Sequence, residues 1–322
     1  MRDPREGPVS GSTTTIVADE VERALAGLDF DHVKKTYWEQ NEFVCLERWL
    51  PASIVERMVA EVERVRPAIH RNYIPRHKKG GSVSYYALVE QAPTVLALYR
   101  APAFIRFLAS LSGRPLQPCP ENDPHACALY FYTEPGDHIG FHFDTSYYKG
   151  SRYTVLVGLI ERSSSRLVCQ LFKDDPGGRP LVELRLATHP GTLVAFNGDK
   201  LWHAITPLGE HEERVSLTLE YVTDPSMSAM KRLFSNLKDS FAYFGLKTVF
   251  AGRARTAGRL RKDRHAHPHQ GPPSRRVPRA RAADAGQPGH LAVRARADHH
   301  HRDEGEAPAS PGREAGDLRQ AR

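Results

Sequence analysis

The 322-residue chain is long enough for one large domain or two ordinary ones, and 40% hydrophobic residues with 9% aromatics suffice for a substantial core. No stretch approaches the roughly 20 apolar residues that a membrane span needs, and the opening MRDPREGPVSGSTTT has no apolar run typical of a secretory signal, so we expect a cytoplasmic protein without a membrane partner. The net charge of +7 does not indicate nucleic-acid binding, because residues 253–322 hold 16 of the 45 basic and 8 of the 38 acidic residues, which leaves a near-neutral body with 29 and 30.

The N-terminal part of the folded chain is expected to be helical. Residues 1–15 are small and polar and predict a disordered start, followed by a folded domain over residues 16–252. Apolar residues at three- and four-residue spacing predict amphipathic helices over ADEVERALAGL (18–28) and PASIVERMVAEVERVRPAI (51–69), the second with Pro51 near its start.

Two further segments precede the region of strands. HRNYIPRHKKGGSVSYYAL (70–88) is polar and contains glycine, which is typical of a loop that covers the mouth of a barrel. APTVLALYRAPAFIRFLASLSG (92–113) predicts a helix, and Pro102 is expected to break it because proline lacks the N–H that continues a helical ladder.

From Ala126 the pattern changes to short runs rich in Val, Tyr, Phe, Leu and Thr, separated by turn residues. Eight such runs predict strands: ACALYFYT, HIGFHFD, YTVLVGLIE, RLVCQLF, LVELRLA, GTLVAFNG, LWHAITP and RVSLTLEYV. We therefore predict an α+β, mainly β fold, a double-stranded β-helix (jelly roll, cupin-like) with a core over about residues 126–224 and helices packed on one sheet. A last amphipathic helix is expected over 227–247.

Residues 253–322 contain no Phe, Tyr, Trp or Ile and cannot bury a core. This basic, low-complexity composition has two interpretations, a disordered C-terminal tail or the product of GC-rich coding sequence read in a shifted frame. We assign the segment no function, and nucleic acid is not an expected partner because the excess charge lacks interleaved aromatics.

His142 and Asp144 stand two apart in HIGFHFD, and alternate side chains of a strand project from the same face. With His203 in KLWHAIT as a third ligand, they form a two-histidine, one-carboxylate triad, the ligand set of non-haem iron(II) sites with open positions. Those positions suit a bidentate oxo acid and dioxygen. The sequence therefore predicts His142, Asp144 and His203 as catalytic metal ligands.

Arg214 and Ser216 follow His203 by eleven and thirteen residues and share one face of the last strand. A guanidinium beside a hydroxyl suits a carboxylate, because the planar fork donates two hydrogen bonds at once. The order HxD, distal His, RxS closely resembles the iron(II)- and 2-oxoglutarate-dependent oxygenase superfamily over residues 126–224. The resemblance implies that Arg214 and Ser216 bind the distal carboxylate of 2-oxoglutarate, and that Fe(II), 2-oxoglutarate and O2 are required.

A narrower resemblance is carried by HFDTSYYKGSRYTVLVGL, FNGDKLWHAITPLGEHEERVSLTLEYVTDP and FAYFGLKTVF, which look like the HalD/BesD-type amino-acid halogenases and their hydroxylase relatives. In those halogenases glycine replaces the carboxylate ligand and frees a position for chloride, whereas this chain has Asp144. The resemblance therefore implies a dioxygenase that hydroxylates a small molecule, with a free amino acid or a derivative as the expected substrate.

Several neighbours of the triad are candidates by strand alternation. If the period of two continues, His138 lies on the ligand face of its strand, and Thr218 and Glu220 follow Ser216 into the barrel. We predict these three as substrate contacts. The buried carboxylate of Glu220 needs a partner, for which a substrate ammonium and a nearby arginine serve equally well. Tyr132, on the strand ACALYFYT that precedes HIGFHFD, is predicted to hydrogen-bond 2-oxoglutarate.

Three alternatives to a hydroxylase remain open. A halogenase-family member with another oxidative outcome would keep the same cofactors. A non-catalytic jelly-roll binding protein would require the triad to be incidental, and a fold alone supports many roles. A cupin-like zinc or manganese enzyme would not call for the carboxylate clamp at Arg214 and Ser216.

Overall fold

The structure, a computed structural model, describes residues 12–144 and 148–226. Six α-helices occur among these residues, all in the N-terminal half: Thr13–Ala26 (α1), Phe30–Glu39 (α2), Ala52–Val65 (α3), Tyr85–Gln91 (α4), Pro93–Arg100 (α5) and Pro102–Ser112 (α6). A single 3-10 turn, Arg66–Ala68, continues α3.

The helices expected within the described residues are present, and capping explains where α1 begins. α1 begins at Thr13, earlier than the expected domain start at residue 16, because the Ser12 side chain accepts a hydrogen bond from the Thr15 N–H and caps the helix. The break at Pro102 is confirmed, since Pro102 opens α6 after α5 has ended. Helices α2 and α4 were not predicted: α2 is short and mostly polar and buries only Val33 and Tyr37, and α4 begins inside the segment 70–88 that was expected to be a loop.

Twelve strands run through the described residues, at Phe43–Leu46 (β1), His70–Ile74 (β2), Lys78–Val83 (β3), Gln117–Pro118 (β4), Cys127–Tyr132 (β5), His138–His142 (β6), Arg152–Arg162 (β7), Leu167–Leu171 (β8), Val182–Leu186 (β9), Leu193–Asn197 (β10), Trp202–Ile205 (β11) and Glu213–Val222 (β12). The eight predicted strands correspond to β5 to β12 and are confirmed.

The strands pair in the order β1-β10-β7-β12-β5-β3-β6-β11-β8-β9, with β2 on β3 and β4 on β12. This sheet curls on itself, because Phe196 of β10 and His203 of β11 lie far apart in the order, yet their ring centroids are only 5.0 Å apart. Two halves of the sheet thus face each other. The predicted double-stranded β-helix with helices on one face is confirmed.

Strand β12 shows how the two faces of the larger half differ. Val215, Leu217 and Leu219 are fully buried in a core shared with the helices. The alternate residues of β12 face the barrel interior, where a second apolar cluster joins residues from both halves of the sheet, including Leu156, Phe196, Cys169 and Ile205. The interior side of β12 is therefore where a small ligand would be enclosed.

The segment 70–88 is not the expected loop. β2 and β3 form an antiparallel hairpin, and β3 also pairs with both β5 and β6. Strand β3 therefore joins the two halves of the curled sheet, and helix α4 follows it in the chain. The polar residues Arg71 and Lys79 that favoured a loop are on the hairpin, where both pair with Glu134 and Asp137.

Within the described ranges no single helix is long and apolar enough to span a membrane; α5 and α6 pass a length and composition test only as a pair bent by 46°. All four cysteines are free thiols. Residues 1–11, the expected helix over 227–247 and the segment 253–322 lie outside the described residues.

Candidate metal centre

His142, Asp144 and His203 meet because of how two strands pair. His142 ends β6, and His203 of β11 lies directly opposite it. Asp144 follows two residues after His142, past the end of the strand, with its Oδ1 3.4 Å from His142 Nε2 and its Oδ2 3.8 Å from His203 Nε2. One ligand atom from each of the three lies within 4.8 Å of the others. The predicted triad is thus brought together at one point of the barrel.

Backbone carbonyls fix the orientation of both imidazole rings. His142 Nδ1 lies 2.9 Å from the Gly140 carbonyl oxygen, and His203 Nδ1 lies 3.1 Å from that of Leu201. A carbonyl can only accept, so both Nδ1 atoms carry the hydrogen and both Nε2 atoms keep a lone pair in the neutral ring. The two Nε2 atoms are therefore the ones available to a metal, as is usual where the other ring nitrogen donates to the backbone.

The Asp144 carboxylate is held from the side by Thr154 on β7, whose hydroxyl donates to Asp144 Oδ2 at 2.8 Å. The backbone around Asp144 is equally constrained, since its N–H donates to the Gly198 carbonyl at 3.0 Å. A side chain at Gly198 would place its Cβ 2.9 Å from the Asp144 Cβ. Only glycine allows the backbone at position 198 to approach Asp144 so closely.

The charges of the three groups suit a cation. Burial opposes the ionisation of Asp144, but His203, His142 and Thr154 outweigh it and hold the pKa of this carboxyl well below its usual range. Burial and the neighbouring His142 lower the pKa of His203 to about 4. Burial alone would lower the pKa of His142, yet Asp144 raises it above its usual value. At neutral pH the centre thus has an ionised carboxylate beside a neutral His203, the forms in which these groups bind metal.

An extra residue in β6 reverses the alternation on which His138 was assigned. His142 pairs with His203, but Ile139 pairs with Ile205, so β6 has one residue more than β11 between these two pairs. Directly paired residues share a face, and hence Ile139, not His138, lies on the ligand face. His138 faces the other side, with its Nδ1 2.8 Å from the Gly136 carbonyl. The register therefore does not bring His138 onto the face of the metal ligands, where alternation had predicted it.

Arg214 and Ser216 both lie on the interior face of β12, and Tyr132 lies directly opposite Arg214 on β5. Arg214 is fully buried and already paired, because its Nη1 donates to Glu161 Oε2 at 2.6 Å and its Nη2 donates to the Thr188 hydroxyl at 2.7 Å. No pattern in the sequence predicted this ion pair. Arg214 therefore forms a buried ion pair with Glu161 through its Nη1.

One polar atom of Arg214 and one of Ser216 nevertheless remain available to a ligand. Arg214 Nε and Ser216 Oγ are buried and have no hydrogen-bond partner among the described residues. Buried polar groups without partners are rare and costly, so such atoms commonly mark a ligand position. Two neighbouring donors on the interior face fit the oxygens of one carboxylate.

Thr218 and Glu220 follow on the same face, as predicted. The Thr218 hydroxyl donates weakly to the Ala128 carbonyl at 3.4 Å. Glu220 Oε2 lies 3.2 Å from Arg152 Nε and 2.9 Å from the hydroxyl of Thr154, which also contacts Asp144. Burial, and in addition the charge of Asp144, raises the pKa of Glu220 to about 8 against the effect of Arg152. Of the two partners considered for Glu220, the structure supplies the arginine.

Sequence reasoning missed two residues of the site, Thr154 and Glu161, both on β7. Strict alternation through YTVLVGLIE would have placed Thr154 and Gly158 on one face, which is the interior one. Glu161 pairs with Arg214, but a register shift between Val215 and Ser216 of β12 separates this pair from Thr154 and Gly158. Strict alternation along β7 would therefore place Glu161 on the outer face, away from the barrel interior. Only the paired strands reveal the Glu161–Arg214 contact.

Comparisons with known proteins agree with this architecture. No family model and no curated protein sequence matches the chain. Among solved structures, it is similar to the non-haem α-ketoglutarate-dependent carbocyclase SnoK of nogalamycin biosynthesis (TM-score 0.51, 12% identity, 65% of this chain and 91% of that one). It is also similar to the α-ketoglutarate-dependent epimerase SnoN of the same biosynthesis (TM-score 0.50, 15% identity, 60% and 81%). The chain thus has a fold used by iron enzymes that depend on 2-oxoglutarate, which is the same compound as α-ketoglutarate.

Proposed function

We propose that this chain is an iron(II)- and 2-oxoglutarate-dependent dioxygenase that hydroxylates an unactivated C–H bond of a small molecule. The observation that carries the proposal is that two sites share one barrel. Two Nε2 atoms and a carboxylate converge at its end, while Arg214 Nε and Ser216 Oγ present unused donors on its inner wall. Either site alone fits other functions, but an iron enzyme that uses a dicarboxylic oxo acid needs both.

The donor set favours iron(II) as the metal. Two imidazoles and one carboxylate on one side of an ion leave the opposite positions open, which is the arrangement of non-haem iron(II) oxygenases. A structural zinc site would instead be closed by a fourth protein ligand. Within the described ranges only His142, Asp144 and His203 form such a group, which fits an open site rather than a closed one.

For the co-substrate, we assign the distal carboxylate of 2-oxoglutarate to Arg214 Nε and Ser216 Oγ. Tyr132, opposite Arg214 and buried in the interior cluster, is a further contact. The fit rests on the two unused donors, which a carboxylate would satisfy. That SnoK and SnoN depend on the same oxo acid supports this assignment.

When bound, iron(II), 2-oxoglutarate and O2 together supply an oxidant strong enough to remove hydrogen from an unactivated C–H bond. The residues of this chain hold and orient these groups and enclose the substrate, since a cofactor enzyme contributes position and electrostatics rather than the chemistry itself. The Leu201 and Gly140 carbonyls fix the two imidazoles, and Thr154 fixes the carboxylate.

Asp144 decides between hydroxylation and halogenation within the group that the sequence resembles. Its carboxylate lies within 4 Å of both imidazole Nε2 atoms and, with iron bound, would fill the coordination position that a chloride ligand needs. We therefore place the chain among the hydroxylase relatives of the HalD/BesD-type halogenases. A free amino acid or a derivative is the proposed substrate class, with Thr218 and Glu220 as candidate contacts. Because Arg152 already pairs with Glu220, a substrate ammonium would have to share this carboxylate.

The proposal is tested by anaerobic addition of iron(II) and then 2-oxoglutarate to the full chain. We expect the weak visible charge-transfer band of an iron–oxo-acid chelate, with an amplitude that saturates at one equivalent of iron. Absence of the band at saturating ligand would favour the alternative of a non-catalytic jelly-roll binding protein.

Once an accepted substrate is found, the reaction outcome follows from mass spectrometry in the presence of chloride and 18O2. We expect one atom of heavy oxygen in the product and no chlorine, because Asp144 would take the coordination position that a halide needs. A chlorinated product from the unmodified chain would contradict the hydroxylase assignment.

Thr154→Val should weaken metal binding by about 10- to 100-fold, because it removes the hydroxyl that orients Asp144 without changing the side-chain volume much. Thr154→Ser keeps the hydroxyl and should retain near-normal affinity. Competition for iron(II) with a coloured chelator measures both. Equal affinities for the two variants would mean that the hydroxyl does not position the ligand.

A further inference from the structure

The charge of Arg214 is already balanced inside the protein. Glu161 is only 2% exposed, and its carboxylate accepts from Arg214 at 2.6 Å and from the Ser163 hydroxyl at 2.5 Å. Both partners of this pair are withdrawn from water, so separating them would leave an uncompensated buried charge. Arg214 can direct a hydrogen bond from its Nε to a ligand, but the pair as a whole brings no net charge.

2-Oxoglutarate carries two carboxylates. A doubly charged metal ion with one aspartate ligand keeps a single positive charge, which the chelating carboxylate of the oxo acid would neutralise. The distal carboxylate then enters the barrel with its own negative charge. Because burial of an uncompensated charge is expensive, a further cation near Arg214 and Ser216 would stabilise this end of the co-substrate.

Lys78 on β3 is a buried cation in the right place. Lys78 is only 1% exposed. It pairs directly with Ile139 of β6, which lies on the same face as His142. Its Nζ lies 4.7 Å from the centroid of the Tyr130 ring. Tyr130 in turn pairs with Ser216 across β5 and β12.

The ammonium of Lys78 therefore lies on the wall that connects the metal centre to the carboxylate clamp. Burial lowers the pKa of Lys78 to about 7, so an anion in the barrel would favour its charged form.

We propose that Lys78 supplies the positive charge that neutralises the distal carboxylate of the 2-oxo acid, while Arg214 Nε and Ser216 Oγ orient that carboxylate by hydrogen bonds. The inference rests on the proposed function and adds a residue that no motif indicated. The resemblance assigned both the charge and the hydrogen bonds to one strand, through Arg214 and Ser216. Here the charge comes from β3 and the directional hydrogen bonds come from β12.

The test compares two oxo acids that differ only at the distal end. 2-Oxopentanoate has the chain length of 2-oxoglutarate but ends in a methyl group. Each is titrated anaerobically into the iron(II)-loaded full chain, with the chelate absorption as the readout. In Lys78→Met we expect the affinity for 2-oxoglutarate to fall on the order of 100-fold, as for loss of one partner of a buried charge pair, and the affinity for 2-oxopentanoate to change little.

Lys79→Met is the matched control. Lys79 is the next residue of the same strand but faces the other way, where its Nζ donates to the Pro135 carbonyl at 2.8 Å. It should bind both oxo acids as the unmodified chain does. Thermal unfolding checks that each variant is folded, and Lys78→Gln replaces Lys78→Met if the latter does not fold.

Equal weakening of both oxo acids in the Lys78 variant would overturn the inference, because it would mean a structural role. Unchanged affinity for 2-oxoglutarate would overturn it too, because the charge of Lys78 would then not act on the distal carboxylate. In both cases the unmodified chain still forms the chelate, and the proposed function stands. If even the unmodified chain forms no chelate with 2-oxoglutarate, the proposed function falls and the inference falls with it.

Discussion

Replacement of His142, Asp144 or His203 by alanine is expected to abolish 2-oxoglutarate turnover, measured as succinate formation in air with iron(II). The physical reason is that three atoms within 4.8 Å of one another are the whole described ligand set, so loss of one leaves an ion with two protein ligands. Groups that merely orient a ligand contribute about 10- to 100-fold to affinity or activity. Loss of a ligand itself should exceed that range, and iron binding should fall in parallel with turnover.

His138→Ala is the control for these variants. His138 lies on the same strand as His142 but on the opposite face, so its removal should leave iron binding and turnover within a few-fold of the unmodified chain. Circular dichroism and thermal unfolding distinguish loss of metal from loss of fold. Substantial turnover in any one of the three alanine variants would remove that residue from the metal site.

Replacement of Arg214 by methionine is expected to cost about 3 to 5 kcal/mol of folding stability, in addition to its effect on the co-substrate. The reason is that Glu161 would remain buried without its ion-pair partner. The double variant Arg214→Met with Glu161→Leu should recover most of that loss, because a buried pair replaced by apolar residues is often close to neutral. Urea unfolding of the two variants and the unmodified chain measures the difference.

Arg162→Met provides the comparison on the same strand as Glu161. Arg162 pairs with Glu213, but its side chain is 70% exposed, and an exposed pair contributes at most about 1 kcal/mol. A loss of stability in Arg214→Met no larger than that in Arg162→Met would mean that the Glu161 pair is not buried in solution. In the double variant, affinity for 2-oxoglutarate should stay low even though stability returns, because the Nε donor is absent.

The strands were predictable because their signals are local. Each of the eight runs from β5 to β12 combines β-branched and aromatic residues with turn residues at its ends, and these properties need no knowledge of the partner strand. The metal ligands were predictable for a different reason, since the order HxD, His, RxS is a pattern of residue types along the chain. By contrast, the hairpin of β2 and β3 was missed because its polar composition resembles a loop, and it becomes a strand pair only by joining β5 and β6.

By itself the sequence determined the fold class, the candidate triad of His142, Asp144 and His203, and the placement of Arg214 and Ser216 on one strand face. Only the tertiary structure decided which side chains meet across strands. The extra residue in β6 removed His138 from the ligand face, and the register shift in β7 brought Glu161 against Arg214. Both depend on hydrogen-bond register between segments distant along the chain, and a shift of one residue turns every following side chain to the other face.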